Sequence, residues 1–402
     1  MPTRTARYKY RAYPSAVQEQ YLAGLFGATR VVYNSRIYDR ELVFKQGLPR
    51  KPLDYSRNAD VPTHMDWMKN YSNAVRQQSI RDADQAYQNF FRGLKGGPKR
   101  GRPKYKKRSS AQSVRWCGAG SIAVKKLNHK WAAVRIPKEG SWLKFRLSRG
   151  LPSAPTSVTL SKSASGQYHV SFVIQQPIAT PKSSGTAAGV DPGLIDLVTV
   201  VKSDGARYKV PAPRHLRKAE RRLASAQREL SRKARGSKNR EKARRKVAER
   251  YRRVADSRLD LTRKIAFRLA SENQAVSLED LKVSGLGRGR LAKSFADAGI
   301  SQLLVSVEQA SEKLGAVCVR VPAAYTTMTC SVCRVRGIKR PLSQRSWECA
   351  SCGAALDRDF NAAVNILDAG HAHSLNGSGG SVRRQLSGAV PIERVTSLQS
   401  SY

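Results

Sequence analysis

The sequence predicts an α+β multidomain chain. An antiparallel β module is split by a helical insertion and followed by an α/β module that carries a four-cysteine zinc ribbon. Three observations predict it. Short β-branched and aromatic runs crowd residues 113–176. Apolar strands and helices at 3.6-residue spacing alternate after residue 185. Two Cys-x-x-Cys pairs, Cys330/Cys333 and Cys349/Cys352, are separated by fifteen residues. At 402 residues the chain has room for two or three domains with real cores.

In chain order, Tyr8 and Tyr10 alternate with Arg7, Lys9 and Arg11, giving a strand with one aromatic and one cationic face. The cationic face either tracks phosphates or is simply solvated. Pro14-Ser15 opens a helix with apolar positions Val17, Tyr21, Leu25, Ala28 and Val32. Residues 46–62 read as a loop. Thr63 and Asp66 resemble a capping box, ahead of a long helix through Trp67, Tyr71, Val75, Ala83, Tyr87 and Phe91. Residues 93–108 form a basic, Gly/Pro-rich linker, a composition that lies against nucleic acid or is solvated; the global charge favours contact.

The strand runs that follow, separated by turn clusters at 118–120 and 163–166, predict a small antiparallel barrel or sheet completed by the N-terminal strand. The helices of 15–95 are then an insertion into it, and a Ser/Pro/Thr-rich linker at 179–184 closes this half.

The second half opens with a strand running into Asp191, a turn at Pro192-Gly193, a return strand at 197–201 and a third strand at 206–210. Leu216, Ala219, Leu223, Ala226 and Leu230, then Ala243, Val247, Val254, Leu261 and Ile265, mark a helical hairpin dense in Arg and Lys. A buried strand delivers Glu279, next to Asp280. A loop with Gly285, Gly287 and Gly289 leads to a helix at about 292–314, a strand at 316–321, and the ribbon. After the ribbon a short amphipathic helix starts at Asp359, and the tail from Gly370 reads as disordered.

The formal net charge is +45, from 74 Lys and Arg against 29 Asp and Glu. Such an excess calls for a polyanion, and phosphate backbones supply one through counterion release. No apolar run is long enough to span a membrane, and the N-terminus lacks the apolar core of a signal peptide. A small ribbon cannot bury enough surface to fold alone, so a Cys₄ zinc would stabilise it. Two disulfides or four free thiols are the alternatives, disfavoured because nothing here looks secreted. Cys117 and Cys318 sit in strand-like runs and read as core thiols.

Asp191, Glu279 and Asp359 each end an apolar strand or begin a helix, where carboxylates can face one cleft. Two-metal phosphodiester hydrolysis needs such carboxylates to hold two Mg²⁺ about 3.5–4 Å apart. Each alone would more often be structural.

G-V-D-P-G at 189–193, L-E-D-L at 278–281, the paired Cys-x-x-Cys knuckles and D-R-D-x-N-A-A-x-N-I at 357–366 together resemble the TnpB family, transposon-encoded RNA-guided nucleases related to type V CRISPR effectors. The resemblance spans 5–367. It implies a wedge β-barrel whose first strand is 1–14, with a helical recognition insertion and basic linker at 15–110 and the rest of the barrel at 111–183. A RuvC-like, RNase H-fold nuclease part follows at 184–324, then the zinc ribbon at 325–356, a second RuvC part at 357–369 and the tail at 370–402. It implies Asp191, Glu279 and Asp359 as catalytic residues jointly binding two Mg²⁺, with Mn²⁺ as an alternative; Asp357 substitutes if the alignment shifts by two. Cys330, Cys333, Cys349 and Cys352 bind one structural Zn²⁺. Implied partners are a guide RNA from the element's own end and double-stranded DNA beside a short adjacent motif, in a monomeric cytoplasmic ribonucleoprotein. A non-cutting, RNA-guided regulator of the same family is the alternative. Arg334 stands where these proteins often place Gly, and Met328 lies in a usually polar stretch.

Overall fold

The computed structural model describes residues 3–47, 54–109, 112–118, 122–180, 182, 185–281, 289, 291–341 and 343–377. The chain divides into two compact units: Met1–Pro177 with Arg244–Glu249, and Ile178–Ala243 with Arg250–Tyr402.

The first unit contains β1 (Thr3–Tyr13), α1 (Ala16–Gln46), α2 (Asn73–Leu94), β2 (Gln112–Cys117), β3 (Val124–Lys126), β4 (Trp131–Arg135), β5 (Trp142–Arg146), β6 (Pro155–Lys162) and β7 (Tyr168–Pro177). Its sheet order is β2-β6-β7-β1-β5-β4-β3, antiparallel throughout. The N-terminal strand is therefore central: it pairs with β7 from Thr3 opposite Pro177 to Ala12 opposite Tyr168. Period-two alternation sends Tyr10 inward, where its ring meets Phe145 at 5.3 Å and Phe172 at 5.9 Å. Leu22, Leu25 and Phe26 of α1 and Val75 of α2 join the same core, so the helical insertion packs against the sheet that it interrupts in sequence.

Local signals here were partly overridden. Ser15 does cap α1, accepting from Gln18 N at 3.2 Å while Ser15 N donates to Gln18 Oε1 at 3.1 Å. Val17, first of the apolar positions that mark this helix, is exposed. Thr63–Asn70 is 3₁₀ rather than the start of a long helix, with no side-chain cap and Met65 off helical geometry. Asp66 pairs with Lys69 at 2.8 Å instead of capping, and the α-helix begins at Asn73. Cys117 is exposed, not a core thiol.

The second unit contains β8 (Thr186–Pro192), β9 (Asp196–Lys202), β10 (Arg207–Pro211), α3 (His215–Ser231), α4 (Lys238–Glu272), β11 (Asn273–Glu279), α5 (Ala292–Ala298), α6 (Ile300–Leu314), β12 (Val317–Val321), β13 (Ser346–Glu348), β14 (Ala355–Asp357) and α7 (Arg358–Gly377). The main sheet runs β10-β9-β8-β11-β12, with β11 parallel to both β8 and β12 and the other pairs antiparallel. Alternation divides its faces. Ala188, Val190, Val276 and Leu278 pack with Leu269 of α4 and Leu303 and Val307 of α6. Ala187 and Val201 pack on the other face with Ala363 and Leu367 of α7.

The helix expected over 292–314 is two helices, broken at Gly299 with φ of 67°. That left-handed conformation suits glycine and ends α5. Helix α7 runs to Gly377, past the boundary expected at 369. The remaining tail, Gly285 and Gly287, and parts of the 46–62, 118–120 and 179–184 segments lie outside the described residues.

Gly189 is explained by close approach rather than by a turn. A Cβ there would lie 2.1 Å from the Ala363 carbonyl oxygen and 2.7 Å from Leu367 Cβ. Gly189→Ala is expected to cost about 1–3 kcal/mol by forcing α7 off the sheet, read as a lower melting temperature. A variant that melts with the parent would show that α7 is not seated this closely.

Candidate active site and metal ribbon

The strand register builds the acidic site. Asp191 lies on β8 and Glu279 at the end of β11, with Leu278 opposite Val190. Two adjacent parallel strands therefore deliver carboxylates at their carboxyl ends, the usual ligand edge of such sheets. By parity both side chains stand on the face covered by α7, whose first turn carries Asp359.

Electrostatics link the three. Burial pushes the Asp191 carboxyl well above the usual range, and the charges of Glu279 and Asp359 push it further; Arg358 and Lys209 act the other way. Burial also raises Glu279, and a hydrogen bond from Thr326 partly offsets this. A folded chain that raises these pKa values retains protons that the unfolded chain has already released, so stability falls as pH rises through that range. Asp191→Asn is accordingly expected to raise the melting temperature of the metal-free protein at neutral pH. An unchanged or lower melting temperature in a pH-resolved thermal scan would contradict this.

Asp357 has a different task. Its Oδ1 accepts from Asp359 N at 3.0 Å and Phe360 N at 2.9 Å, which caps α7. It also accepts from Lys209 Nζ at 2.8 Å. Asp359 instead pairs with Arg345 at 3.3 Å and Lys209 at 3.6 Å.

Lys209 is the site residue that sequence reasoning missed. It pairs across the sheet with Thr199, which pairs with Asp191. This one rung sets an ammonium on the carboxylate face, near Asp357, Asp359 and, at 3.9 Å, Asp196. The register could not be seen in the sequence, where it is one cation among 74.

The four ribbon cysteines bring their sulfurs within 4.8 Å of one another. Cys330 and Cys352 sulfurs are 3.8 Å apart, and those of Cys333 and Cys349 are 3.6 Å apart. A disulfide would require about 2.05 Å, whereas four sulfurs about 2.3 Å from a tetrahedral zinc stand roughly 3.8 Å apart. The set fits a zinc ribbon, and the disulfide alternative does not hold. The amide of Cys352, and after it that of Ser351, faces the Cys349 sulfur and holds its thiol down to about 6. Among the described residues no other group of three or more His, Cys, Asp or Glu draws together as a ligand set for one ion.

Helix α7 anchors the ribbon. Asn361 Oδ1 accepts from Ser331 N at 2.8 Å, inside the first knuckle, and the Asn361 and Asn365 amides both donate to Thr329 O at 2.8 Å. These bonds account for the two asparagines in the motif after Asp359.

Comparison with known proteins is consistent with this architecture. The chain is 35% identical over 386 residues to a Streptomyces pristinaespiralis protein provisionally named an RNA-guided DNA endonuclease, covering 92% of this chain and 91% of that one. The chain belongs to the TnpB family. A second TnpB-type relative, InsQ of Escherichia coli K12, with the same provisional name, is 29% identical over 392 residues, covering 92% of this chain and 93% of that one. Residues 169–289 match a family described as "Probable transposase", 301–366 a "Cas12f1-like, TNB domain", and 1–47 a "Helix-turn-helix domain". In this TnpB protein the last of these is strand β1 followed by the single helix α1, not a helix-turn-helix. The fold resembles that of a Cas12f1 chain solved with single-guide RNA and target DNA, with a TM-score of 0.60 at 13% identity over 90% of this chain and 98% of that one.

The family's frequent glycine after the second cysteine also finds its reason. Arg334 has φ of 67°, a conformation that costs a residue with a side chain roughly 1–2 kcal/mol. Arg334 offsets this by donating to Asn365 Oδ1 at 3.0 Å and pairing with Asp368.

Proposed function

We propose that this protein is an RNA-guided DNA endonuclease that cuts double-stranded DNA in one acidic site. The observation that carries the reading is the convergence of Asp191, Glu279 and Asp359 on a single neighbourhood, where burial and mutual repulsion leave Asp191 in need of a cation. The donor set suits Mg²⁺ or Mn²⁺, hard cations that take carboxylate oxygens. Asp191, Glu279 and Asp359 would hold the ions jointly. Such ions, when bound, activate a water for in-line attack and stabilise the leaving oxygen of the phosphodiester.

The remaining residues prepare the site. Lys209 and the Asp357 cap fix the first turn of α7 and with it Asp359. Arg358 adds positive charge beside Asp191. Cys330, Cys333, Cys349 and Cys352 would bind one structural Zn²⁺. Hairpin α3–α4 has 21 Lys and Arg against 7 Asp and Glu between His215 and Glu272, a surplus suited to phosphate backbones. The guide is an RNA from the element's end, and the target is duplex DNA next to a short motif. Among the described residues no helix is long and apolar enough to cross a membrane.

The test is to express the chain with its flanking DNA, sequence the co-purifying RNA, and offer a matching plasmid library with randomised bases beside the target. Mg²⁺-dependent, EDTA-sensitive double-strand breaks confined to one adjacent motif are expected. Specific RNA and tight target binding without breaks would instead indicate a non-cutting regulator.

A further inference from the structure

We propose that Thr326 is a positioning residue for Glu279, and that it ties this carboxylate to the metal ribbon through α7. The inference rests on Glu279 being a ligand of the catalytic ions, as argued above, and deepens that reading.

Thr326 Oγ1 donates to Glu279 Oε1 at 2.5 Å. Among the described residues this is the one side-chain hydrogen bond made to the Glu279 carboxylate. It fixes one oxygen of the carboxylate. Both residues are buried, at 8% and 6% exposure; the hydroxyl also meets the Ala323 carbonyl at 3.4 Å, so the carboxylate is the nearer of its two acceptors, and burial strengthens that bond.

Thr326 is itself held from the other side. Its carbonyl accepts from Asn365 Nδ2 at 2.8 Å and from Asn361 Nδ2 at 3.4 Å. The same two amides reach Thr329 O, and Asn361 Oδ1 takes Ser331 N between Cys330 and Cys333. The path runs without a gap from the first cysteine knuckle, through two buried asparagines one turn apart, to Thr326 and then to Glu279.

The backbone just before it is strained in a way that serves this aim. Tyr325 adopts φ of 65°, which is rare for a bulky residue and persists only where the surroundings impose it. The Tyr325 carbonyl accepts from Met328 N and Thr329 N, both at 2.9 Å, and the Arg336 guanidinium stacks over its ring at 3.2 Å. The turn that delivers the Thr326 hydroxyl is therefore fastened to the ribbon, not to the strand that bears Glu279. A metal-filled ribbon thus sets the orientation of a carboxylate outside it.

Partners that orient a metal ligand typically contribute 10–100-fold in metal affinity. The experiment uses the full chain carrying its ribbon zinc, with Mn²⁺ as the probe read by electron paramagnetic resonance and zinc content measured alongside. Thr326→Val is expected to bind Mn²⁺ about 10–100-fold more weakly, Thr326→Ser to stay close to the parent, and zinc content to stay unchanged in both. If the valine variant loses zinc, Thr326→Ala, which fits the same space, carries the comparison. Parent-like Mn²⁺ binding by the valine or alanine variant, beside loss of binding in Glu279→Gln, would overturn the positioning role alone. Parent-like binding by Glu279→Gln would overturn both this role and the metal-ligand reading beneath it.

Discussion

Asp191→Ala is expected to lower DNA cleavage by at least about 10³-fold while RNA and target binding stay near the parent's. The size follows from the several kcal/mol that a positioned divalent ion contributes to a phosphoryl transition state, at 1.36 kcal/mol per tenfold in rate. The selectivity follows from placement. Asp191 faces Glu279, Asp359 and α7 at the end of the sheet, while hairpin α3–α4 carries a large cationic surplus of its own for phosphate backbones. Supercoiled-plasmid cleavage beside a filter-binding titration separates the two quantities. Full cutting by the variant would remove Asp191 from the chemistry, and loss of RNA binding would show that the substitution had damaged the fold.

Stripping the ribbon metal is expected to have the second largest effect. Binding of zinc by small cysteine sites is worth about 10–16 kcal/mol at neutral pH, more than a ribbon with one buried tryptophan, Trp347, and a two-stranded sheet can replace. Chelation, or Cys349→Ser, should release one zinc per chain and open the ribbon to trypsin at Arg334, Arg336, Lys339 and Arg345. Cleavage of DNA should fall with it, because the turn that carries Thr326 loses its fixed place against α7. Retained trypsin resistance in the metal-free chain would show that the cysteines are not the ribbon's main support.

Much of this was legible in the sequence, for identifiable reasons. Strands β5 and β7 announce themselves because alternation is a local property and their apolar residues are mostly β-branched or aromatic. Asp191 and Glu279 were legible because each ends an apolar run, and the cysteine spacing can be read without any fold. What was hidden depended on register or on competition. Lys209 belongs to the site only because β10 pairs with β9 in one particular alignment. Asp357 and Asp359 are two residues apart, and only the helix start tells which of them caps α7. Thr326, Asn361 and Asn365 look like turn and helix residues until the ribbon folds back on α7. Thr63 and Asp66 gave a capping signal that lost to the Asp66–Lys69 pair and a 3₁₀ segment.

The central place of β1 has a consequence during synthesis. Both of its sheet neighbours, β5 and β7, lie far downstream, ending at Arg146 and Pro177. At about 5–20 residues per second, the first strand leaves the ribosome on the order of ten to thirty seconds before its last partner is made. An unpaired strand in that interval is a template for the wrong chain. Arg4, Arg7, Lys9 and Arg11 at alternate or near-alternate positions along it keep nascent chains apart by repulsion, so the same cations that suit a polyanion also guard the protein while it is incomplete.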